Sequence, residues 1–104
     1  MGYDLPAAIG AVVARGGRRV ICLAGDGSVQ LNLQELEVVS SHQMPIVLVV
    51  LNNEGYLSMR SSQRAAFNRE VGAGPASGIS FPSTERIAAA YGLPYVRASG
   101  PGFE

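Results

Sequence analysis

The sequence is poor in several residue types, and each shortage excludes a class of protein. It has no tryptophan, one cysteine, and eight basic against eight acidic residues, so its formal net charge is zero. A single cysteine excludes an internal disulfide and a cysteine-based zinc site. Cys22 lies within an apolar run and is predicted to be a small core residue. Without a basic patch, we expect no nucleic-acid partner.

Long hydrophobic runs are missing as well. No apolar stretch approaches the roughly 20 residues that a membrane span requires, and no signal peptide is recognisable. We therefore expect a cytoplasmic protein that does not bind a membrane. The length allows one domain, residues 1–104. With 47% hydrophobic and 15% charged residues, much of the chain is expected to be buried, in a fold or against a partner.

Two short apolar runs predict β-strands, at residues 20–24 and 46–51. Neither run alternates with polar residues, which is typical of a parallel sheet covered on both faces. The segment between them predicts a helix that has Asn32 and Glu35 as a capping box and ends near Ser41. Because this connection is helical and short, we expect a right-handed crossover. The predicted fold class is therefore α/β, with a parallel sheet and helices on both faces.

Further elements are predicted on either side of this unit. A helix over residues 5–15 has Asp4 as its cap, and Gly16-Gly17 stops it. Past the second strand the pattern predicts a helix over residues 56–65 and a loop over residues 68–82. A second helix over residues 85–91, with Ser83 or Thr84 as its cap, and a third short strand over residues 95–98 are predicted to follow.

Polar and glycine residues follow both predicted strands directly. Gly25-Asp26-Gly27-Ser28 comes after the first strand, and Asn52-Asn53-Glu54-Gly55 after the second. The carboxyl ends of parallel strands meet at one edge of a sheet, where α/β proteins bind ligands. An acidic oxygen and an amide oxygen can converge there on a hard cation, and glycines admit a phosphate group. The plainer alternative is that Asp26 caps the next helix and residues 52–55 form an ordinary turn.

These two signals, with 24 residues between Gly27 and Asn52, resemble the cofactor motif of thiamine-diphosphate enzymes. The preceding segment, residues 1–10, is similar to the one before the motif in acetolactate-synthase-like members. The resemblance implies a three-layer α-β-α fold with a mainly parallel sheet. Chains of this family are several times longer and have further strands at both ends. This sequence therefore looks like a truncated cofactor-binding domain, which breaks off at residues 101–104.

The resemblance also implies a cofactor, thiamine diphosphate with Mg²⁺, and a role for each motif residue. The metal ligands would be the side chains of Asp26 and Asn53 and the main-chain oxygen of Gly55. Met1, 25 positions before Asp26, matches the bulky apolar residue that props the cofactor in a bent shape. The expected diphosphate donors are the backbone amides of Gly25, Gly27, Ser28, Tyr56 and Leu57, together with the Ser28 hydroxyl.

The implied substrate is a small 2-keto acid, which a carboligase, decarboxylase or lyase would use. In the family a glutamate activates the cofactor ring from a different domain, usually that of a partner subunit. Glu35, Glu37 and Glu54 do not match it, so no catalytic residue is assigned here and the chain alone is expected to be inactive. The expected partners are the missing pyrimidine-binding domain or subunit and further copies of the chain in a homo-oligomer.

Three interpretations remain open at this point. The first is the cofactor-binding part of such an enzyme, although the missing Gln-Trp-Gln stretch argues against acetolactate synthesis itself. The Gly-Tyr-Leu-Ser pattern of residues 55–58 is closer to acetolactate-synthase-like proteins. The second is a non-catalytic scaffold or fragment that keeps the fold. The third is an α/β domain for another Mg²⁺–phosphate ligand such as a nucleotide, against which the absence of a glycine-rich loop with Lys-Ser or Lys-Thr counts.

Overall fold

The chain folds into short helices around a parallel pair of strands. The computed structural model describes residues 1–100, so the predicted break-off at residues 101–104 lies outside the described residues. In chain order the elements are α1 Asp4–Ala14, β1 Val20–Gly25, α2 Asp26–Val29, a 3₁₀ turn Gln30–Asn32, α3 Glu35–Ser41, β2 Ile46–Leu51, α4 Leu57–Phe67, a 3₁₀ turn Pro75–Ser77 and α5 Thr84–Ala90.

The sheet consists of β1 and β2, which pair in parallel from Val20 opposite Ile46 to Gly25 opposite Leu51. The α/β class and the parallel pairing are thereby confirmed. Because both strands end at the same rung of this ladder, Asp26 and Asn52 leave the sheet at the same edge. This register brings the two predicted motifs together.

One face of the sheet carries the core. Leu5, Leu36 and Val39 form its buried centre, against which side chains of β2 and α5 also pack. Cys22 is buried as predicted. Burying apolar side chains of this size stabilises the fold by about 1.5–3 kcal/mol each. This face holds β1 and β2 against α1 and α3, and so fixes where the strand ends lie.

The opposite face of the sheet is apolar and exposed. Ile21 and Leu23 on β1 are each 67% exposed, and Val47, Val49 and Leu51 on β2 are exposed as well. We call these five side chains the apolar sheet face. In the part of the chain that the structure describes, the sheet is thus covered on one side only. Parallel strands ordinarily have both faces covered, so this face has the character of a surface that packs against something else.

Three local predictions were wrong. Residues 95–98 form no strand, because no described strand pairs with them. Val96 is 88% exposed. Asn32 does not cap a helix. Its side-chain nitrogen donates to the Gly2 carbonyl and its oxygen accepts from Gln34 Nε2 at 2.9 Å, and α3 begins only at Glu35. Asp4 lies in the first turn of α1 and not at its cap.

Other helix boundaries follow their predicted signals. Gly16 and Gly17 take left-handed φ angles of +66° and +80°, which glycine adopts without strain, and α1 ends just before them. Ser83 caps α5, since its Oγ accepts a hydrogen bond from the Arg86 amide at 3.4 Å. None of the helices within residues 1–100 is long and apolar enough to cross a membrane.

Candidate functional site at the carboxyl ends of the strands

Asp26 lies at the centre of the site and is 5% exposed. It follows β1 directly and begins α2. Its Oδ1 accepts a hydrogen bond from the Gly27 amide at 2.8 Å, and its Oδ2 accepts one from the Gly55 amide at 3.1 Å. Each carboxylate oxygen has two lone pairs, so both retain capacity for a further donor or a cation. Asp26 therefore links the two motifs through both of its carboxylate oxygens.

The second motif forms a tight turn, residues 52–55, which we call the Asn turn. The Asn52 side-chain oxygen accepts a hydrogen bond from the Glu54 amide at 3.4 Å. Glu54 has a left-handed φ of +52°, which is uncommon outside glycine, and Gly55 has a φ of +137°. A Cβ on Gly55 would lie 2.4 Å from the Ala73 carbonyl oxygen. Residues 52–55 thus have the geometry of a turn, and this turn meets Asp26 through the Gly55 amide.

Gly27 is required by a neighbouring ring. A Cβ built at Gly27 would lie 2.6 Å from two ring carbons of Tyr56, closer than side chains approach in proteins. The Tyr56 ring in turn packs edge-on against Phe81, with centroids 5.5 Å apart. Such aromatic pairs stabilise a fold by about 0.5–1.5 kcal/mol beyond area burial. The missing side chain at Gly27 therefore lets the start of α4 pack directly on α2.

A cavity of about 150 Å³ opens between the two motifs. Asp26 is not among its lining residues, but Gly27 and Gly55, which it binds, are. Ser58 lines the cavity and was not predicted from sequence, although it lies one position beyond Leu57 in the same helical turn. The lining residues are Met1, Gly25, Gly27, Ser28, Asn53, Gly55, Tyr56, Leu57 and Ser58.

Two of the expected amide donors are engaged within the protein. The Gly27 amide donates to Asp26, and the Tyr56 amide donates to the Ala73 carbonyl at 2.9 Å. Both amides are thus engaged within the chain in this structure, and their expected role as donors to an anion stays a prediction. By contrast, Leu57 is the first residue of α4, where the amide has no intrahelical partner.

Ser28 is engaged in a different way, because its hydroxyl oxygen accepts a hydrogen bond from the Gly2 amide at 2.8 Å. The hydroxyl hydrogen is left to donate. This bond ties the start of the chain to α2 and places Met1 at the cavity, although Met1 remains 73% exposed.

The acidic side chains within residues 1–100 do not line the cavity. Glu54 and Glu37, for example, are exposed. Burial raises the pKa of the Cys22 thiol, and the Asp4 carboxylate raises it further. Within residues 1–100, no three side chains of His, Cys, Asp or Glu come together to hold a metal ion. A cation at this site would rely on amide and main-chain oxygens besides Asp26.

Comparison with known proteins gives a consistent result. Residues 1–102 match the family described as "Thiamine pyrophosphate enzyme, C-terminal TPP binding domain". The chain is 38% identical over 93 residues to the acetolactate synthase large subunit of Porphyra purpurea, which covers 89% of the chain and 16% of that subunit. It is also 38% identical over 94 residues to the acetolactate synthase isozyme 1 large subunit of Escherichia coli strain K12, with the same two coverages.

A relative with a different name matches a shorter segment. The alpha-keto-acid decarboxylase of Mycobacterium ulcerans strain Agy99 is 46% identical over 70 residues, 65% of the chain and 12% of that protein. The chain thus spans about a sixth of the length of the acetolactate synthase relatives it matches. The family match, the parallel strands and the motifs at their ends agree, and the chain belongs to the family of C-terminal TPP-binding domains of thiamine pyrophosphate enzymes.

Proposed function

We propose that this chain provides the Mg²⁺- and diphosphate-binding half of a thiamine-diphosphate site in an enzyme that acts on 2-keto acids. The observation that carries the proposal is the hydrogen bond from the Gly55 amide to Asp26 Oδ2. It joins the two motifs at the edge of the sheet where such folds bind ligands. The names of the relatives, acetolactate synthases and an alpha-keto-acid decarboxylase, support the substrate class.

The donor set suits Mg²⁺, which prefers oxygen ligands and takes only a few from the protein. Asp26 would contribute a carboxylate oxygen, and Asn53 its side-chain oxygen. The Asn53 side chain lines the cavity and makes no hydrogen bond to the described residues. The Gly55 carbonyl would be the third ligand. Within residues 1–100, no backbone amide donates a hydrogen bond to its oxygen, which is therefore available to a cation.

Fewer hydrogen-bond donors are available to the diphosphate than the motif predicts. The Leu57 amide begins α4, an 11-residue helix whose positive end favours an anion. The Ser28 hydroxyl can donate from the other side, and Gly25 has no side chain to obstruct the approach. A Cβ at Gly25 would lie 4.0 Å from the side-chain nitrogen of Asn53, at the distance of ordinary contact.

The organic half of the cofactor would lie beyond this cavity. When bound, thiamine diphosphate supplies a nucleophilic carbon and an electron sink for the reaction of a 2-keto acid. We assign Met1 the role of an apolar prop for the cofactor, because it lines the cavity and its side chain is exposed. The residues of this chain would bind and orient the diphosphate.

We propose that the site is completed by a pyrimidine-binding domain or subunit. The cavity of about 150 Å³ is smaller than the roughly 300–1,000 Å³ of a complete small-molecule site, and no glutamate of residues 1–100 lines it. The apolar sheet face provides a surface on which such a domain, or a second copy of the chain, could pack. A non-catalytic scaffold remains the alternative and predicts no Mg²⁺-dependent cofactor binding.

Calorimetric titration tests the proposal. The 104-residue chain is titrated with thiamine diphosphate with and without Mg²⁺, and with ATP plus Mg²⁺ as the nucleotide control. We expect weak binding of thiamine diphosphate that requires Mg²⁺, and weaker or no binding of ATP. No binding of either ligand supports the scaffold, and preference for ATP supports a nucleotide site.

A further inference from the structure

The Asn turn is held by a side chain that neither motif contains. Arg60, in the second turn of α4, donates a hydrogen bond from Nη2 to the main-chain carbonyl of Asn53. Arg60 does not line the cavity, so it reaches the site from behind. Any effect it has on a ligand in the cavity is therefore transmitted through the Asn turn.

This hydrogen bond acts on one peptide unit, the one between Asn53 and Glu54. Arg60 donates to the Asn53 carbonyl oxygen of this peptide. The Glu54 N–H of the same peptide donates to the Asn52 side-chain oxygen at 3.4 Å. Both polar groups of this peptide are thus fixed. The next residue, Glu54, has a φ of +52°, a conformation that persists in a non-glycine residue only when its surroundings hold it.

Arg60 is itself held in place by packing. A Cβ on Gly74 would lie 3.4 Å from Arg60 Nη1 and 3.3 Å from the Glu54 carbonyl oxygen, so Gly74 lets the loop over residues 68–82 close onto both groups. The Arg60 Nε is buried and has no hydrogen-bond partner among the described residues. Burying a polar atom in this way is unfavourable, so the site retains Arg60 at a cost to stability.

We infer that Arg60 is a positioning residue for the Asn turn: it holds the Asn53–Glu54 peptide so that the Asn53 side chain and the Gly55 carbonyl face the cavity. The metal-binding part of this inference rests on the proposed function. Groups that orient metal ligands in this way typically alter metal affinity by about 10–100-fold when they are removed. The guanidinium fork suits the role because it donates to the carbonyl while its stem packs along Gly74.

The test compares Arg60→Met with Arg64→Met. Arg64 lies one turn further along α4 and forms an ion pair with Glu70, without contact to the Asn turn. The first readout is amide hydrogen exchange at Gly55, whose N–H bonds Asp26. We expect Gly55 to lose roughly tenfold of its protection in Arg60→Met, the size of a lost charge-assisted hydrogen bond, and to be unchanged in Arg64→Met. Unchanged Gly55 exchange in Arg60→Met overturns the inference.

The second readout is Mg²⁺ affinity at saturating thiamine diphosphate, which should fall about 10–100-fold in Arg60→Met and stay constant in Arg64→Met. Arg60→Lys keeps the charge and one donor, so it should restore part of both effects. If Arg60→Met fails to fold, Arg60→Lys is measured in its place. Gly55 protection in Arg60→Lys equal to that in the parent chain would then overturn the inference. If the parent chain binds no Mg²⁺, the proposed function fails, while the exchange rates still decide whether Arg60 positions the turn.

Discussion

The Oδ2 atom of Asp26 accepts a hydrogen bond from the Gly55 amide, 3.1 Å away and 29 residues further along the chain. One oxygen of the same carboxylate thus reaches the second motif while the other binds the adjacent Gly27 amide. A buried carboxylate held by backbone amides is fixed in orientation before any ligand arrives. Asp26 therefore has a structural role in joining the two strand ends besides its proposed role as a metal ligand.

The first prediction separates these two roles of Asp26. Asp26→Ala removes both, so we expect loss of Mg²⁺-dependent cofactor binding together with a loss of about 1–3 kcal/mol in stability from the unpaired Gly55 amide. Asp26→Asn keeps the shape and one acceptor oxygen but removes the charge. Because its NH2 group cannot accept, it leaves either the Gly27 or the Gly55 amide unpaired, so we expect it to be less destabilised than Asp26→Ala and to bind Mg²⁺ much more weakly than the parent chain. Calorimetry and thermal denaturation measure the two effects.

Glu35→Ala is the matched control for Asp26, because Glu35 lies in the connection between the strands and not at the cavity. It should leave cofactor binding unchanged. Equal loss of binding in Glu35→Ala and Asp26→Ala would mean that folding, and not ligation, underlies the effect.

The second prediction concerns two glycines in different surroundings. Gly27→Ala places a Cβ 2.6 Å from the Tyr56 ring, so we expect a loss of about 1–3 kcal/mol in stability. Gly10→Ala, within α1, meets nothing within 4 Å and should stabilise the helix by about 0.5–1 kcal/mol. Urea denaturation of both variants measures the difference. A neutral Gly27→Ala would show that Tyr56 does not pack on Gly27 in solution.

The third prediction is a pH dependence from Cys22. Its pKa is raised by burial in the folded chain, so the folded state keeps the thiol proton after the unfolded chain has released it. The associated stability is fully present below the ordinary thiol pKa of about 8.5 and is lost as pH rises through the folded-state pKa. Denaturation between pH 7 and 10 should therefore show a steeper decline for the parent chain than for Cys22→Ala. Parallel curves would contradict this.

The fourth prediction concerns the apolar sheet face. Exposed apolar patches on a sheet promote association, so we expect the isolated chain to self-associate at high concentration. Leu23→Gln combined with Val49→Gln makes two neighbours on this face polar and should shift sedimentation towards the monomer. Val13→Gln is the control, since Val13 is as exposed as Leu23, at 67%, but lies on α1. A parent chain that stays monomeric at high concentration would remove the claim.

The fifth prediction is that the chain alone does not turn over a 2-keto acid, even with thiamine diphosphate and Mg²⁺. Among the residues that the structure describes, no glutamate lines the cavity to activate the cofactor ring. An assay with pyruvate and 2-ketobutyrate would measure decarboxylation and carboligation. Robust turnover by the purified 104-residue chain would show that this chain forms a complete site.

The sequence was sufficient for the parts of the molecule that depend on local patterns. The unalternating apolar runs predicted β1 and β2, and the residues after each run predicted where the site would lie. Gly16-Gly17 and Ser83 predicted helix boundaries because their backbone and hydroxyl chemistry act within a few residues. The family was recognisable for the same reason, since its motif consists of residues close together in sequence and a fixed gap.

Tertiary contacts decided the rest. Whether Asn32 capped a helix depended on the Gly2 carbonyl, and whether residues 95–98 formed a strand depended on a neighbour to pair with. The Gly27 and Tyr56 amides were available in the motif but are engaged in the fold. Arg60 carried no signal at all, because its hydrogen bond to Asn53 exists only once α4 folds back over the Asn turn. The sequence alone predicted most residues of the candidate site, and the packing of distant segments determined which of their atoms are engaged within the chain.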